Sequence, residues 1–226
     1  YSSPRVDYGH VFVGSDDHGF YAISAASGRE AWRVDVGARV RSSPRVGDEL
    51  LFFGSEDGVV HALGLNGKAK WRFQTKRAVT SSPALSEGLV VFGSQDWSVY
   101  AVDATSGWSA WRYRTRGAVV SSPAIHDGRV FVGSADGALH AIDLDSARRR
   151  WTYEVSAQIT SSPAIHPGLG AVYFSAIDGC VYSLDITQGN LRWRFQSEGP
   201  IPGSPAVYED LVLVGSTDMH LYALPA

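Results

Sequence analysis

Short stretches of this chain alternate apolar and polar residues with a period of two, and none sustains the 3.6-residue stripe of an amphipathic helix. The pattern predicts strands. Between residues 119 and 155 it gives four of them: Val119 to Ile125, Arg129 to Ser134, Ala138 to Ile142 and Arg150 to Val155. The segments between them are rich in turn formers: His126-Asp127-Gly128, Ala135-Asp136-Gly137 and Asp143 to Arg149.

The same four-strand pattern recurs along the chain. Ser-Pro pairs at Ser3-Pro4, Ser43-Pro44, Ser82-Pro83, Ser122-Pro123, Ser162-Pro163 and Ser204-Pro205 are spaced by 40, 39, 40, 40 and 42 residues. Tryptophans at Trp32, Trp71, Trp111, Trp151 and Trp193, spaced by 39, 40, 40 and 42, mark the same unit from its other end. Six units begin (2–41, 42–80, 81–120, 121–160, 161–202 and 203–226), and the sixth stops before its tryptophan-bearing strand. The fifth is longer because His166-Pro167-Gly168-Leu169-Gly170 replaces the shorter first turn, an insertion expected to sit in a loop. Four strands per unit at this period predict an all-β fold: a β-propeller of four-stranded antiparallel blades, six blades begun and the last lacking its outer strand, in one domain over 1–226. Proline lacks the N–H that a central strand donates, so the strand carrying Ser-Ser-Pro is expected innermost, at a sheet edge. The tryptophans of strand four are expected as structural docking residues in the gaps between blades, each contributing roughly 1.5 to 3 kcal/mol by burial. Asp17, Asp57, Asp96, Asp136, Asp178 and Asp218 recur in the second turn, where Asp and Gly suit tight hairpins; this is a turn signature, not a catalytic array.

Two segments carry a family resemblance. Ala22-Ile23-Ser24-Ala25-Ala26-Ser27-Gly28-Arg29-Glu30-Ala31-Trp32 and Ala101-Val102-Asp103-Ala104-Thr105-Ser106-Gly107-Trp108-Ser109-Ala110-Trp111 resemble the tryptophan-docking motif of PQQ-type, quinoprotein-like propeller repeats. A glycine precedes the tryptophan by four residues at Gly28, Gly67, Gly107 and Gly189; unit two is one residue shorter before Gly67, and unit four has Ala147 instead. The resemblance covers the whole chain. That family includes quinoprotein alcohol dehydrogenases, the propeller lipoprotein of the outer-membrane β-barrel assembly machinery, and sensor regions of bacterial serine/threonine kinases, so it implies a fold more firmly than an activity. It also implies an extracytoplasmic or periplasmic location. Active dehydrogenases of the family hold their quinone with calcium, carboxylate and Asn ligands under a disulfide of adjacent cysteines, typically in eight blades. This chain has one cysteine, Cys180, and two asparagines, Asn66 and Asn190, both in turns between strands three and four. No cofactor is therefore expected, PQQ with calcium included, and the chain is expected to bind, sense or scaffold rather than catalyse. The alternatives are a quinone-dependent oxidoreductase or a fragment of one, and the extracytoplasmic sensor region of a kinase.

Composition narrows the chemistry further. A net charge of −3 argues against nucleic acid as partner, and no apolar run is long enough for a transmembrane segment. No metal-ligand spacing or glycine-rich phosphate loop occurs. His61 and His140 align with Tyr21, Tyr100, Tyr182 and Tyr222, which gives them a packing role, and Cys180 aligns with Ala138 as a small packing residue. The units differ chiefly in the loops from strand four to the next strand one and from strand two to strand three, which share one end of the blades. There the chain carries Arg39, Arg41, Lys76, Arg77 and Arg116, with His18, Trp97 and Met219 where other units have Gly58, Gly137 and Gly179. Tryptophan and arginine are favoured at binding hot spots, so a face for a protein or small ligand is expected here, centred on Lys76, Arg77 and Trp97.

Overall fold

The structure, a computed structural model, describes residues 2–47 and 49–226. Its first strands are β1 (Arg5–Asp7), β2 (His10–Gly14), β3 (Gly19–Ser24), β4 (Glu30–Asp35), β5 (Arg45–Gly47), β6 (Leu50–Gly54), β7 (Val59–Gly64) and β8 (Ala69–Gln74). Next come β9 (Ala84–Ser86), β10 (Leu89–Ser94), β11 (Ser98–Asp103), β12 (Ser109–Arg114), β13 (Ala124–His126), β14 (Arg129–Gly133), β15 (Ala138–Asp143) and β16 (Arg149–Glu154). The last are β17 (Ala164–His166), β18 (Ala171–Ser175), β19 (Cys180–Asp185), β20 (Leu191–Gln196), β21 (Ala206–Tyr208), β22 (Leu211–Gly215) and β23 (Leu221–Pro225). Each successive group of four forms one sheet in chain order, and β21-β22-β23 form a three-stranded sixth. Contacts divide the chain into two compact units, residues 1–112 and 113–226, the division falling within β12. Among the described residues, no helix is long and apolar enough to cross a membrane.

The second and third strands of the second to fifth sheets are buried on both sides. In β6, Leu51 and Phe53 pack with Phe12 and Phe20 of the first sheet, whereas Phe52 packs with Val90, Phe92 and Tyr100 of the third. A strand covered on both faces has no side left for polar residues, hence the unbroken run Leu50-Leu51-Phe52-Phe53. In the second unit, Phe131 and Leu139 pack with Val172, Phe174 and Leu184, while Tyr173 and Val181 pack with Val212 and Val214. The fourth strands are instead made of exposed and half-buried residues, alternating along most of β4, β8, β12 and β20.

The half-buried positions of those outer strands carry the tryptophans. The indole N–H of Trp32 donates to Leu65 O and that of Trp71 to Ala104 O, both at 2.9 Å, and that of Trp151 donates to Ile186 O at 3.2 Å. Each ring lies against the motif glycine of the next sheet. A Cβ on Gly107 would come within 2.6 Å of Trp71, and one on Gly189 within 2.5 Å of Trp151. These glycines also sit at φ +74° and +73°, so both backbone conformation and ring contact disfavour a side chain there. Trp193 packs at 5.8 Å from the Tyr173 ring, and Trp111 holds the corresponding position in β12.

Strand one is shorter than the sequence pattern predicts. β13 begins at Ala124, so Ser-Ser-Pro lies outside the ladder. Serine hydroxyls take over the hydrogen bonding there. Ser81 Oγ accepts from Gly93 N, Ser121 Oγ from Gly133 N and Ser161 Oγ from Ser175 N, each at 3.0 Å. The second serine links neighbouring sheets: in the first unit Ser3 N donates to Ser43 Oγ (2.8 Å) and Ser43 N to Ser82 Oγ (2.9 Å). In the second unit Ser122 N donates to Ser162 Oγ (3.0 Å) and Ser162 N to Ser204 Oγ (2.8 Å). The insertion in the fifth repeat winds into a 3₁₀ turn, Pro167–Leu169, whose Leu169 N–H is capped by His166 Nδ1 at 3.2 Å.

Candidate binding face

The turn from second to third strand is organised by its aspartate. Oδ1 of Asp17, Asp136, Asp178 and Asp218 accepts the amide two residues on, at 2.9, 3.1, 2.9 and 3.0 Å. The residue between lies in the left-handed region: Gly58, Gly137 and Gly179 at φ +86°, +81° and +83°, but also His18, Trp97 and Met219 at 71°, 68° and 70°. The other carboxylate oxygen reaches the connector that enters the sheet, since Lys76 N donates to Asp96 Oδ2 (3.2 Å), Arg116 N to Asp136 Oδ2 (2.9 Å) and Glu198 N to Asp218 Oδ2 (3.1 Å). A side chain four residues on adds a further bond: the hydroxyls of Tyr100, Tyr182 and Tyr222 to Asp96, Asp178 and Asp218 at 2.7, 3.1 and 2.8 Å. In the fourth repeat His140 Nε2 does this, 3.3 Å from Asp136 Oδ2. Burial works to raise the Asp136 pKa, but the bonds from His140 and the Arg116 amide outweigh it and hold the group at about 2. Burial, then the Asp96 contact, pushes Tyr100 up to about 12.

Connector and second turn are thus hydrogen-bonded side by side, as are Glu56 N with Arg39 O and Ala135 N with Ala118 O. In the first unit the expected face resolves into two groups. Lys76 and Trp97 flank the Asp96 carboxylate, with Arg77 next in line, and all three side chains are exposed. Arg77 O lies over Gly58, where a Cβ would come within 2.6 Å of it. The second group is tied down: Arg41 pairs with Asp16 (2.9 Å) and Glu56 (3.0 Å), and Arg39 joins it through the Glu56 amide. The bond from Arg41 holds the Asp16 carboxyl below its ordinary value. His18 is exposed in the adjoining turn. In the second unit, Arg116 pairs with Glu154 at 2.6 Å and Met219 stands 96% exposed.

Ser55 and Cys180 are each tied into hydrogen bonds. Ser55 Oγ donates to Asp57 Oδ1 at 2.5 Å and lies 2.9 Å from His61 Nε2. The single hydroxyl proton is engaged by the carboxylate, so the imidazole donates to the serine and cannot act as its base. His61 is 2% exposed and stacked on Phe53, and burial drives its pKa to about 4. Cys180 is buried, its thiol donating to Gln196 Oε1 at 2.9 Å. Among the described residues, no three His, Cys, Asp or Glu stand together as a metal site.

The family described as "Beta-alanine-activating enzyme, beta-propeller" matches residues 2–225. The chain belongs to this β-propeller family. Its PQQ-like propeller is similar to the crystal structure of BamB from Moraxella catarrhalis, with a TM-score of 0.85 and 21% identity over 99% of this chain and 69% of that one. It is also similar to the computationally designed Ika8 protein, with a TM-score of 0.89 and 18% identity over 100% of this chain and 70% of that one. At such identities the likeness concerns the fold alone. No curated protein sequence matches the chain. The six sheets are propeller blades, five with four strands and the sixth with three.

One feature of the propeller lies outside the sequence expectations. A cleft borders His140, and its signal is Thr152, which stands where other repeats carry Arg33, Arg72, Arg112 and Arg194.

Proposed function

We propose that this propeller is a non-catalytic binding module or scaffold that takes a protein or small ligand on its loop face, with Lys76, Arg77 and Trp97 at the centre. The supporting observation is Trp97, 52% exposed at a left-handed position that glycine fills in three other repeats. A non-glycine residue there costs on the order of 1 kcal/mol, and an indole left in water gives the fold little in exchange. Contact with a partner is the use that remains, and two cations beside an indole suit an acidic or aromatic partner. The triple variant Trp97→Gly, Lys76→Ser, Arg77→Ser tests this. We expect unchanged unfolding and loss of partner capture from the native source; full capture by the folded variant rejects the site.

The turn carboxylates engaged by amides and tyrosines are poorly suited to ligate a calcium-bound quinone. Turnover of a dye acceptor after adding PQQ and calcium would displace the binding-only reading. The family description favours one further reading, a propeller serving a larger enzyme; a catalytic domain encoded on the same polypeptide would support it.

A further inference from the structure

The chain departs from its own repeat at three positions that meet in one cleft. The first is Thr152, which follows Trp151 where arginine follows the other four docking tryptophans. Register sets that arginine opposite the aromatic residue of strand three, pairing Tyr21 with Arg33, His61 with Arg72 and Tyr182 with Arg194, but His140 with Thr152. Arg33 and Arg112 cover the rings of Tyr21 and Tyr100, each 5.2 Å from the centroid. Threonine leaves that volume open, and a cleft of about 570 Å³ lies there, lined by Tyr113, Arg114, His140, Arg149 and Thr152 among others. Its size is that of a small-molecule site.

Arg114 and Arg149 are the other two departures. The equivalents of Arg114 are Asp35, Gln74, Glu154 and Gln196, and those of Arg149 are Glu30, Ala69, Ser109 and Leu191. The acidic groups of the cleft are already engaged, Glu154 by Arg116 and Asp136 by His140 and two amides. Arg150 is paired with Asp143. Among the described residues, neither Arg114 nor Arg149 has a carboxylate within ion-pair distance. His140 donates Nε2–H to Asp136, which leaves Nδ1 to accept the Tyr113 hydroxyl at 3.2 Å. Thr152 Oγ1 is buried close to that hydroxyl without a well-formed hydrogen bond. Two unneutralised arginines therefore line the same space, an arrangement suited to an oxyanion with several acceptor oxygens.

We propose that this cleft binds a small ligand through a phosphate or carboxylate group held by Arg114 and Arg149. The site borders the loop face at Arg116 and Asp136 but uses none of Lys76, Arg77 and Trp97. Calorimetric titration of the intact chain with inorganic phosphate and with citrate at low ionic strength tests it, alongside Thr152→Arg and Arg149→Gln. Thr152→Arg restores the repeat's own residue and refills the cleft, so near-ultraviolet circular dichroism should report an unchanged fold. The expected result is one saturable site for at least one probe, absent in Thr152→Arg and about tenfold weaker in Arg149→Gln. Phosphate binding alone assigns a phosphate-bearing ligand, citrate binding alone a carboxylate, and both together a site selective for oxyanions generally. Absence of saturable binding to either probe, or wild-type binding by the two folded variants, overturns the proposal.

Discussion

Trp71 and Trp97 lie in the same compact unit and meet opposite surroundings. Trp71 is half-buried on β8, its ring against Gly107 and its N–H on Ala104 O at 2.9 Å. Trp97 stands 52% exposed at a turn position where the backbone is left-handed. The first recurs at the repeat period and the second interrupts a position that glycine holds elsewhere. Periodicity thus separates residues that hold blades together from residues free to differ, and the same side chain belongs to either class according to its place in the repeat.

The largest expected difference is in stability. Trp71→Ala should cost roughly 3 to 5 kcal/mol, since it removes a packed ring and leaves Ala104 O without its donor. Chemical denaturation measures this, and an equal loss for Trp97→Ala would break the comparison.

The buried side also carries a titrating group. His61 has a folded pKa of about 4 against an ordinary value of 6.5, so between those values the unfolded chain binds more protons. Stability is full above pH 6.5 and falls as the pH drops toward 4, by up to roughly 3 kcal/mol. His61→Phe, which keeps an aromatic ring beside Phe53, should flatten that slope in denaturation curves taken across the window. The carboxylates held low, such as Asp136 at about 2, contribute their losses only below pH 3.8.

A smaller effect is expected at the serine positions. Ser81→Ala leaves the buried Gly93 N–H without its acceptor, a loss of about 1 to 3 kcal/mol in thermal or chemical unfolding. The smallest belongs to Trp97→Gly, which relaxes the left-handed turn and should change stability by no more than about 1 kcal/mol. A large destabilisation there would show that the exposed indole supports the fold after all.

Much of the architecture was legible in the sequence because the repeat reports it twice, through Ser-Pro at one end and Trp at the other. The missing outer strand of the sixth blade followed from the same count. Strand one was over-read. Ala-Val-Val-Ser-Ser-Pro has strand composition, but it is held through the Ser121 hydroxyl and the Ala118 carbonyl and not by a ladder, and hydropathy does not record that choice. The aspartates were legible as turn residues but not as acceptors for connector amides and for the tyrosine four residues on, contacts that need the third dimension. Of the expected face, Lys76, Arg77 and Trp97 adjoin, whereas Arg41 and Arg116 are drawn into ion pairs with Asp16, Glu56 and Glu154. Sequence lists charges without pairing them. The cleft beside His140 left a readable trace in Thr152, Arg114 and Arg149, visible only when the repeats are compared position by position.

The bonds between successive serines run head to tail, from Ser3 to Ser43 to Ser82 and from Ser122 to Ser162 to Ser204. Each middle member both gives a proton and receives one. A module wired in this way can be duplicated or excised as a whole without stranding a polar atom, because the newcomer supplies one donor and one acceptor to its neighbours. Growth by tandem duplication is therefore chemically neutral along this track, and lineages of such chains are free to vary in repeat number while the junction chemistry stays constant.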